Sequence, residues 1–131
     1  MIGQIFDAKD FATRLKVTIQ STGKLGFTAG TTNQLALDTS CSILIAPDSD
    51  DSKVFYMGVC RTLQDNAFAV LKSGSYYYLN TKQLFDKLGV KYSHATVMFD
   101  LSRFEEGDKV LGCECYKMTM RVNPHKNDEK T

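Results

Sequence analysis

The chain carries one pattern of residues twice, and this repeat limits what it can fold into more than any other feature. The glycines that open the two copies are 51 residues apart, and the threonines that follow are 49 apart. We therefore predict two related units, 23–60 and 67–116, that share one core. The first copy reads Gly23-Lys24-Leu25-Gly26-Phe27, Thr32-Asn33-Gln34-Leu35 and Ser42-Ile43-Leu44-Ile45-Ala46, and the second reads Gly74-Ser75-Tyr76-Tyr77-Tyr78, Thr81-Lys82-Gln83-Leu84 and Ala95-Thr96-Val97-Met98-Phe99.

Length and composition indicate one compact domain. The 131 residues are 43% hydrophobic, which is enough for a single core over 1–121, while the polar run 122–131 predicts a disordered tail. The longest apolar run is far below the roughly 20 residues of a membrane helix, and 1–20 lacks the apolar core of a signal peptide. Four scattered cysteines form no disulfide framework. We expect a reduced, cytoplasmic protein without membrane contact.

The N-terminal residues predict a helix. Asp7 can cap it, Phe6 and Phe11 stand at the positions of a hydrophobic staple, and Gly23 can end it. Apolar residues recur at helical spacing through Ile19. Because Val17-Thr18-Ile19 is β-prone, a strand from 15 to 20 is the alternative, and the helix is favoured.

Each repeat predicts a hairpin, a short helix and a second hairpin. In the second unit the strands are 67–71 and 76–79, then 95–101 and 109–120. Asn80 or Thr81 caps the helix between them, whose apolar face is Leu84, Phe85 and Leu88. The predicted fold class is α+β, with two pseudo-symmetric hairpin–helix–hairpin units and an N-terminal helix.

This order of elements resembles the swapped-hairpin family of bacterial transition-state regulators, antitoxins and MraZ-type proteins (the AbrB/MraZ-like architecture). Segment 73–78 matches the first hairpin, 83–90 the helix and its exit, and 97–115 the second hairpin. The resemblance implies two paired units and DNA binding by basic residues around the first hairpin. The chain also resembles a family of small uncharacterised bacterial proteins, which implies no function.

The sequence contains no recognisable catalytic or metal motif. Its two histidines fall in a loop, His94, and in the predicted tail, His125, and no P-loop, Rossmann fingerprint or nucleophile elbow is present. Cys113 and Cys115 share one face of a predicted strand, where packing is favoured over a zinc site because a second pair is missing. We expect no enzyme, no cofactor and no metal.

Charge and aromatic residues point to binding. The net charge is +1, so the chain has no strong basic excess. Acidic residues at 48, 50 and 51 and at 105, 106 and 108 would repel phosphate, so a DNA surface should lie opposite them, near Lys24, Lys72 and Lys82. Three tyrosines, Tyr76, Tyr77 and Tyr78, should leave at least one phenol outside, available to stack a base or anchor a partner. The favoured alternative is that they are simply strand residues with a solvated hydroxyl.

Two hypotheses follow for function. The first is a non-catalytic, DNA-associated regulatory protein that uses the three lysines. The alternative is a protein-interaction or assembly subunit without nucleic-acid binding, in which the tyrosines are the contact residues.

Overall fold

The computed structural model describes residues 1–6 and 15–124, and nine strands in this part of the chain form a single antiparallel sheet. The strands are β1 (Leu15–Ile19), β2 (Leu25–Phe27), β3 (Ser42–Pro47), β4 (Val54–Cys60), β5 (Phe68–Ala69), β6 (Leu71–Ser73), β7 (Tyr76–Leu79), β8 (Ala95–Arg103) and β9 (Glu114–Pro124). The helices are α1 (Ala29–Leu35), α2 (Lys82–Lys87) and α3 (Asp108–Leu111), with a 3-10 turn at Glu105–Gly107.

The sheet curls into a nearly closed cylinder. Its strand order is β5-β3-β4-β9-β8-β1-β2-β7-β6, so β5 and β6 are its two edges. These edge strands are joined by Val70 alone, which forces the edges to lie side by side. Alternate residues of the strands therefore point inward, and they form one core with Leu35 of α1 and Phe85 of α2, which stacks on Phe99 at 6.1 Å.

The predicted α+β class with an N-terminal helix is wrong. The structure is mostly antiparallel sheet, and the helices of the described part are short. Leu15–Ile19 is strand β1, since its β-branched residues pair with β2 on one side and β8 on the other, burying Val17 and Ile19. The rest of the predicted helix, 7–14, lies outside the described residues.

Strand pairing interleaves the two halves of the chain. The hairpin β1–β2 pairs with β8 through β1 and with β7 through β2. The hairpin β3–β4 pairs with β5 and β9. Among the described strands, the two hairpins of one half never pair with each other. Each half therefore completes the sheet of the other.

The helices of the two halves end in the same way, 53 residues apart. The amide of Leu37 donates to the carbonyl of Thr32, and that of Val90 donates to that of Phe85. The backbone there turns left-handed at Ala36 (φ 52°) and at Gly89 (φ 74°). This spacing differs from the 51 and 49 read in the sequence. By their helix ends Thr32 corresponds to Phe85, whereas the sequence match paired Thr32 with Thr81.

The last hairpin differs most from its predicted form. The segment expected to begin a strand at Lys109 forms α3, and the strand begins only at Glu114. That strand continues to Pro124, which pairs with Ala95, so 122–124 belong to the sheet and not to a tail. Residues 125–131 lie outside the described part. Within 1–6 and 15–124, the helices are too short to cross a membrane.

Candidate functional site

The structure gathers two of the three predicted lysines with the tyrosines on neighbouring strands. The Lys24 ammonium lies 4.8 Å from the centre of the Tyr78 ring, and that of Lys72 lies 5.6 Å from the centre of the Tyr77 ring. Such contacts hold a cation over an aromatic face. We call Lys24, Tyr76 and Tyr78 the lysine–tyrosine face, because Lys72 lies opposite Tyr77 on the other side of the strands.

The tyrosines of this face are only half exposed. Tyr76 and Tyr78 stack at 6.1 Å on the outer side of β7, whereas Tyr77 packs against the core. The Tyr76 hydroxyl accepts a hydrogen bond from the Gln20 side chain and occupies the space that a side chain at Gly26 would need. Burial raises the pKa of Tyr76. These contacts fix the rings as part of the sheet surface.

Lys82 has a different environment. Its ammonium forms an ion pair of 2.5 Å with Asp86, one turn along α2, and Asp86 also accepts a hydrogen bond from the Tyr92 hydroxyl. The hydrogen bond with Asp86 raises the pKa of Lys82, and the bond from Lys82 lowers the pKa of Asp86. Lys82 shares with Lys24 a surface cavity of about 630 Å³, but its charge is already balanced.

A second surface brings both acidic loops together. A cleft of about 420 Å³ lies between the β3–β4 loop and the segment from the 3-10 turn to α3. Val110 stands at this cleft with 83% of its surface exposed. We call it the acid-lined cleft; its carboxylates are Asp48 and Glu106, and its larger apolar side chains are Pro47, Tyr56, Phe104, Val110 and Leu111.

The segment that forms one wall of this cleft is pinned to β9 by Arg103 and Asp108. The Arg103 guanidinium donates to both carboxylate oxygens of Asp108, at 2.7 and 2.6 Å. Asp108 also accepts from the amide of Cys115 at 2.8 Å, and Arg103 donates to the carbonyl of Cys115 at 3.0 Å. The pair lowers the pKa of Asp108 and raises that of Arg103. Asp108, predicted as a repulsive charge, is therefore a structural one.

Two glycines let the segment lie close against the sheet. A side chain at Gly58 would meet the Cys113 sulfur at 2.7 Å and a Leu111 methyl at 3.2 Å. A side chain at Gly107 would meet the Cys115 sulfur at 2.4 Å. Because neither glycine has a side chain, the segment covers the outer face of β4 and β9, and Val110 projects outward.

The charge of the cleft is fixed by a hydrogen bond. The Tyr56 hydroxyl donates to Asp48 at 2.8 Å, and the backbone amides of Asp50 and Asp51 donate to its other oxygen at 3.0 and 2.9 Å. The Tyr56 bond, with these amides, lowers the pKa of Asp48, and the same bond raises the pKa of Tyr56. Asp48 is therefore ionised at neutral pH and Tyr56 is protonated.

The two surfaces lie on opposite sides of the cylinder. The cleft is outside β4 and β9, and Tyr76 and Tyr78 are outside β7, next to β2. In the sheet order, β8 and β1 separate these pairs in one direction, and β3, β5 and β6 separate them in the other. Lys24 thus lies away from the acidic loops.

Sequence reasoning located the acidic residues of the cleft but missed its apolar lining. The prediction of a strand from Lys109 placed Val110 in a sheet, whereas it stands on α3. The sequence signal for helix α3 was Asp108 in its first turn and Gly112 just past its end, where the backbone is left-handed (φ 76°).

The part of the chain that the structure describes contains no group of three or more metal-ligating side chains. One surface offers carboxylates around apolar groups, and the other offers a cation over an aromatic ring.

No known family model, curated protein or solved structure matches this chain, so its resemblance to the swapped-hairpin regulators stays a prediction.

Proposed function

We propose that the chain is a non-catalytic binding module of the bacterial cytoplasm, which holds a partner protein in the acid-lined cleft. The observation that carries the proposal is Val110, a large apolar side chain left 83% exposed beside Phe104 and two carboxylates. Apolar contact area provides affinity, and charge selects the partner.

The chemistry of the cleft defines the kind of partner. The described residues that line it include Asp48 and Glu106 but neither lysine nor arginine. A segment with apolar side chains flanked by lysine or arginine would bury its apolar groups on Val110 and Phe104. Its cations would then meet the carboxylates at the rim.

Binding of labelled synthetic peptides tests this proposal. A peptide of alternating leucine and lysine should bind, whereas one with glutamate for lysine, or with serine for leucine, should bind at least tenfold more weakly. Fluorescence anisotropy at low and moderate salt measures each affinity. Equal binding of the lysine and glutamate peptides would reject the acidic rim as the selecting element.

Variants assign the binding to the cleft. Val110→Glu should abolish it, and Glu106→Gln should weaken it about tenfold, a loss of about 1.4 kcal/mol. Leu63→Glu is the matched control, because Leu63 is 65% exposed and does not line the cleft. If Val110→Glu and Leu63→Glu bind alike, the cleft is not the site.

DNA binding at the lysine–tyrosine face is the second candidate. It is favoured by the position of Lys24 over the Tyr78 ring, which stacks on Tyr76 on the side away from the acidic loops. Aromatic rings can stack on bases while cations contact phosphates. Lys82 should contribute less because Asp86 already pairs with it.

A gel-shift titration at low salt, with mixed duplex and single-stranded DNA, tests this candidate. Lys24→Ala should weaken retardation and flatten its dependence on salt, and Lys72→Ala, on the other side of the strands, should do so less. Lys82→Ala should change it less, and Lys109→Ala, on the opposite side, should not change it. Absence of retardation at micromolar protein would reject DNA binding and leave the partner protein.

A further inference from the structure

Two cysteines from different halves of the chain face each other across the sheet. Strand β4 pairs with β9 up to Val59, which lies opposite Glu114. Continuing this register by one residue places Cys60 opposite Cys113. Their sulfur atoms are 2.8 Å apart. Residues opposite each other in antiparallel strands have Cα atoms about 4.5–5.5 Å apart, within the range of about 4.4–6.8 Å that disulfides span.

The neighbouring residues allow the two sulfurs to lie close together and leave them accessible to a small reagent. Gly58 provides the space beside the Cys113 sulfur, since a side chain there would meet it at 2.7 Å. Cys60 is buried, whereas Cys113 is partly exposed, and both line a surface cavity of about 410 Å³ with Arg61 and Gln64. A small reagent can therefore reach Cys113 first.

The other two cysteines are placed differently. The Cys41 sulfur contacts an Asp38 oxygen at 3.5 Å and the Arg61 guanidinium at 3.6 Å. Cys115 is fully buried beneath Gly107. Neither has a second thiol at hydrogen-bond distance in the described structure, so both serve as internal controls. A metal does not account for the pair, because two sulfurs supply only half the ligands that structural zinc requires.

We propose that Cys60 and Cys113 form a redox pair that a small disulfide such as oxidised glutathione converts to an intramolecular disulfide. The Cys113 thiol loses its proton to solvent, and its thiolate attacks one sulfur of the glutathione disulfide, releasing one glutathione thiolate. The Cys60 thiol loses its proton to solvent, and its thiolate then attacks the Cys113 sulfur of the mixed disulfide and releases the second glutathione thiolate. Two protein thiols are oxidised, one glutathione disulfide is reduced, and the released glutathione thiolates take up two protons.

The reaction should be slow at neutral pH. Burial, with the hydrogen bond to Cys60, raises the pKa of Cys113 to about 12, and only the thiolate attacks. In a reducing cytoplasm the dithiol is therefore the resting form. The disulfide would join β4 of one half to the start of β9 of the other beside the acid-lined cleft, so oxidation restricts the segment that carries Val110.

The test exposes the intact protein to oxidised glutathione at pH 9, where more thiolate is present. The mass should fall by two hydrogen atoms, the free thiols should fall from four to two, and peptide mapping should join Cys60 to Cys113. The melting temperature should rise by several degrees and return after reduction, because a long loop is closed.

Single variants separate this pair from general thiol oxidation. Cys41→Ser and Cys115→Ser should still form the disulfide, whereas Cys60→Ser should stop at a glutathione adduct on Cys113. Four free thiols after oxidation of the wild type would overturn the proposal. So would a wild-type adduct that persists on Cys113 while Cys60 remains free.

Discussion

Thr81 is fully buried, and its hydroxyl joins the second half of the chain to the first hairpin. It accepts a hydrogen bond from the Leu25 amide at 3.0 Å and donates to the Gly23 carbonyl at 2.9 Å. The sequence suggested that it caps α2, but its side chain makes no cap bond. Thr31 makes the equivalent pair of bonds to the backbone of Lys16. The residue type was predictable and its partner was not, because the partner comes from a distant part of the chain.

Thr81→Val should therefore destabilise the protein more than an ordinary helix cap would. Two buried backbone groups lose their partner, which costs about 2–4 kcal/mol in the free energy of unfolding. Thr81→Ser keeps the hydroxyl and should cost about 1 kcal/mol. Urea denaturation of the three proteins measures the difference. A smaller loss for valine than for serine would show that the methyl group, and not the hydrogen bonds, matters.

The raised pKa of Cys113 should make the stability of the reduced protein depend on pH in the alkaline range. Its pKa is raised from 9.0 to about 12, so the folded state retains a proton that the unfolded chain releases above pH 9. Its contribution to stability is complete below pH 9 and is lost as the pH rises toward 12. With reductant present, the free energy of unfolding should fall more steeply over this range in the wild type than in Cys113→Ser. Parallel profiles would contradict this assignment.

At the scale of elements, strands with alternating or β-branched residues could be predicted, and their neighbours could not. The strand 76–79 lies where the sequence predicted it, but the predicted strand 67–71 is wrong, since Phe68–Ala69 pairs with β3 and Leu71–Ser73 is the partner of β7. β1 was assigned to a helix because Ala8, Phe11 and Leu15 fit the helical period. The strand contacts that override this period come from β8, about 80 residues further along. The acid-lined cleft was missed for the same reason, since α3 is held by Arg103 and by close approach to Gly58.

Substitutions in helix α2 test which of its sides is buried. Of the predicted apolar face, Leu84, Phe85 and Leu88, only Phe85 is buried, at 1% exposed, while Leu84 is half-buried and Leu88 is 47% exposed. Phe85→Ala should cost about 3–5 kcal/mol because it leaves a cavity beside Phe99. Leu84→Ala should cost less, and Lys87→Ala, on the exposed side, should stay within about 0.5 kcal/mol. Chemical denaturation measures all three, and a larger loss for Leu84 than for Phe85 would contradict the structure.

At the scale of the whole molecule, interleaving makes the two halves depend on each other. Because β1 pairs with β8 and β5 with β3, neither half retains its neighbouring strands when the other unfolds. The repeated pattern indicated two related units, but it contained no information on which hairpins pair.

The chain should therefore unfold in one transition. Substitutions in either half, Leu25→Ala in β2 or Phe99→Ala in β8, should move that same transition. Each should lower the free energy of unfolding by about 2–5 kcal/mol. Circular dichroism and tyrosine fluorescence should give coincident curves for the wild type and both variants. Two separated transitions, one for each half, would show that the halves fold independently.

The single residue between β5 and β6 has a consequence for how this protein can be recognised. Many domains capture an extended peptide by adding it to an exposed sheet edge, where unpaired backbone groups await a partner. Here the two borders of the sheet are strands of only two and three residues, brought side by side by Val70, whose amide donates to the Cys41 carbonyl at 3.1 Å. Borders this short resist the addition of a further strand, which also guards against edge-to-edge aggregation. Side chains on the outside of the cylinder must therefore select a ligand, and not main-chain pairing along an edge of the sheet.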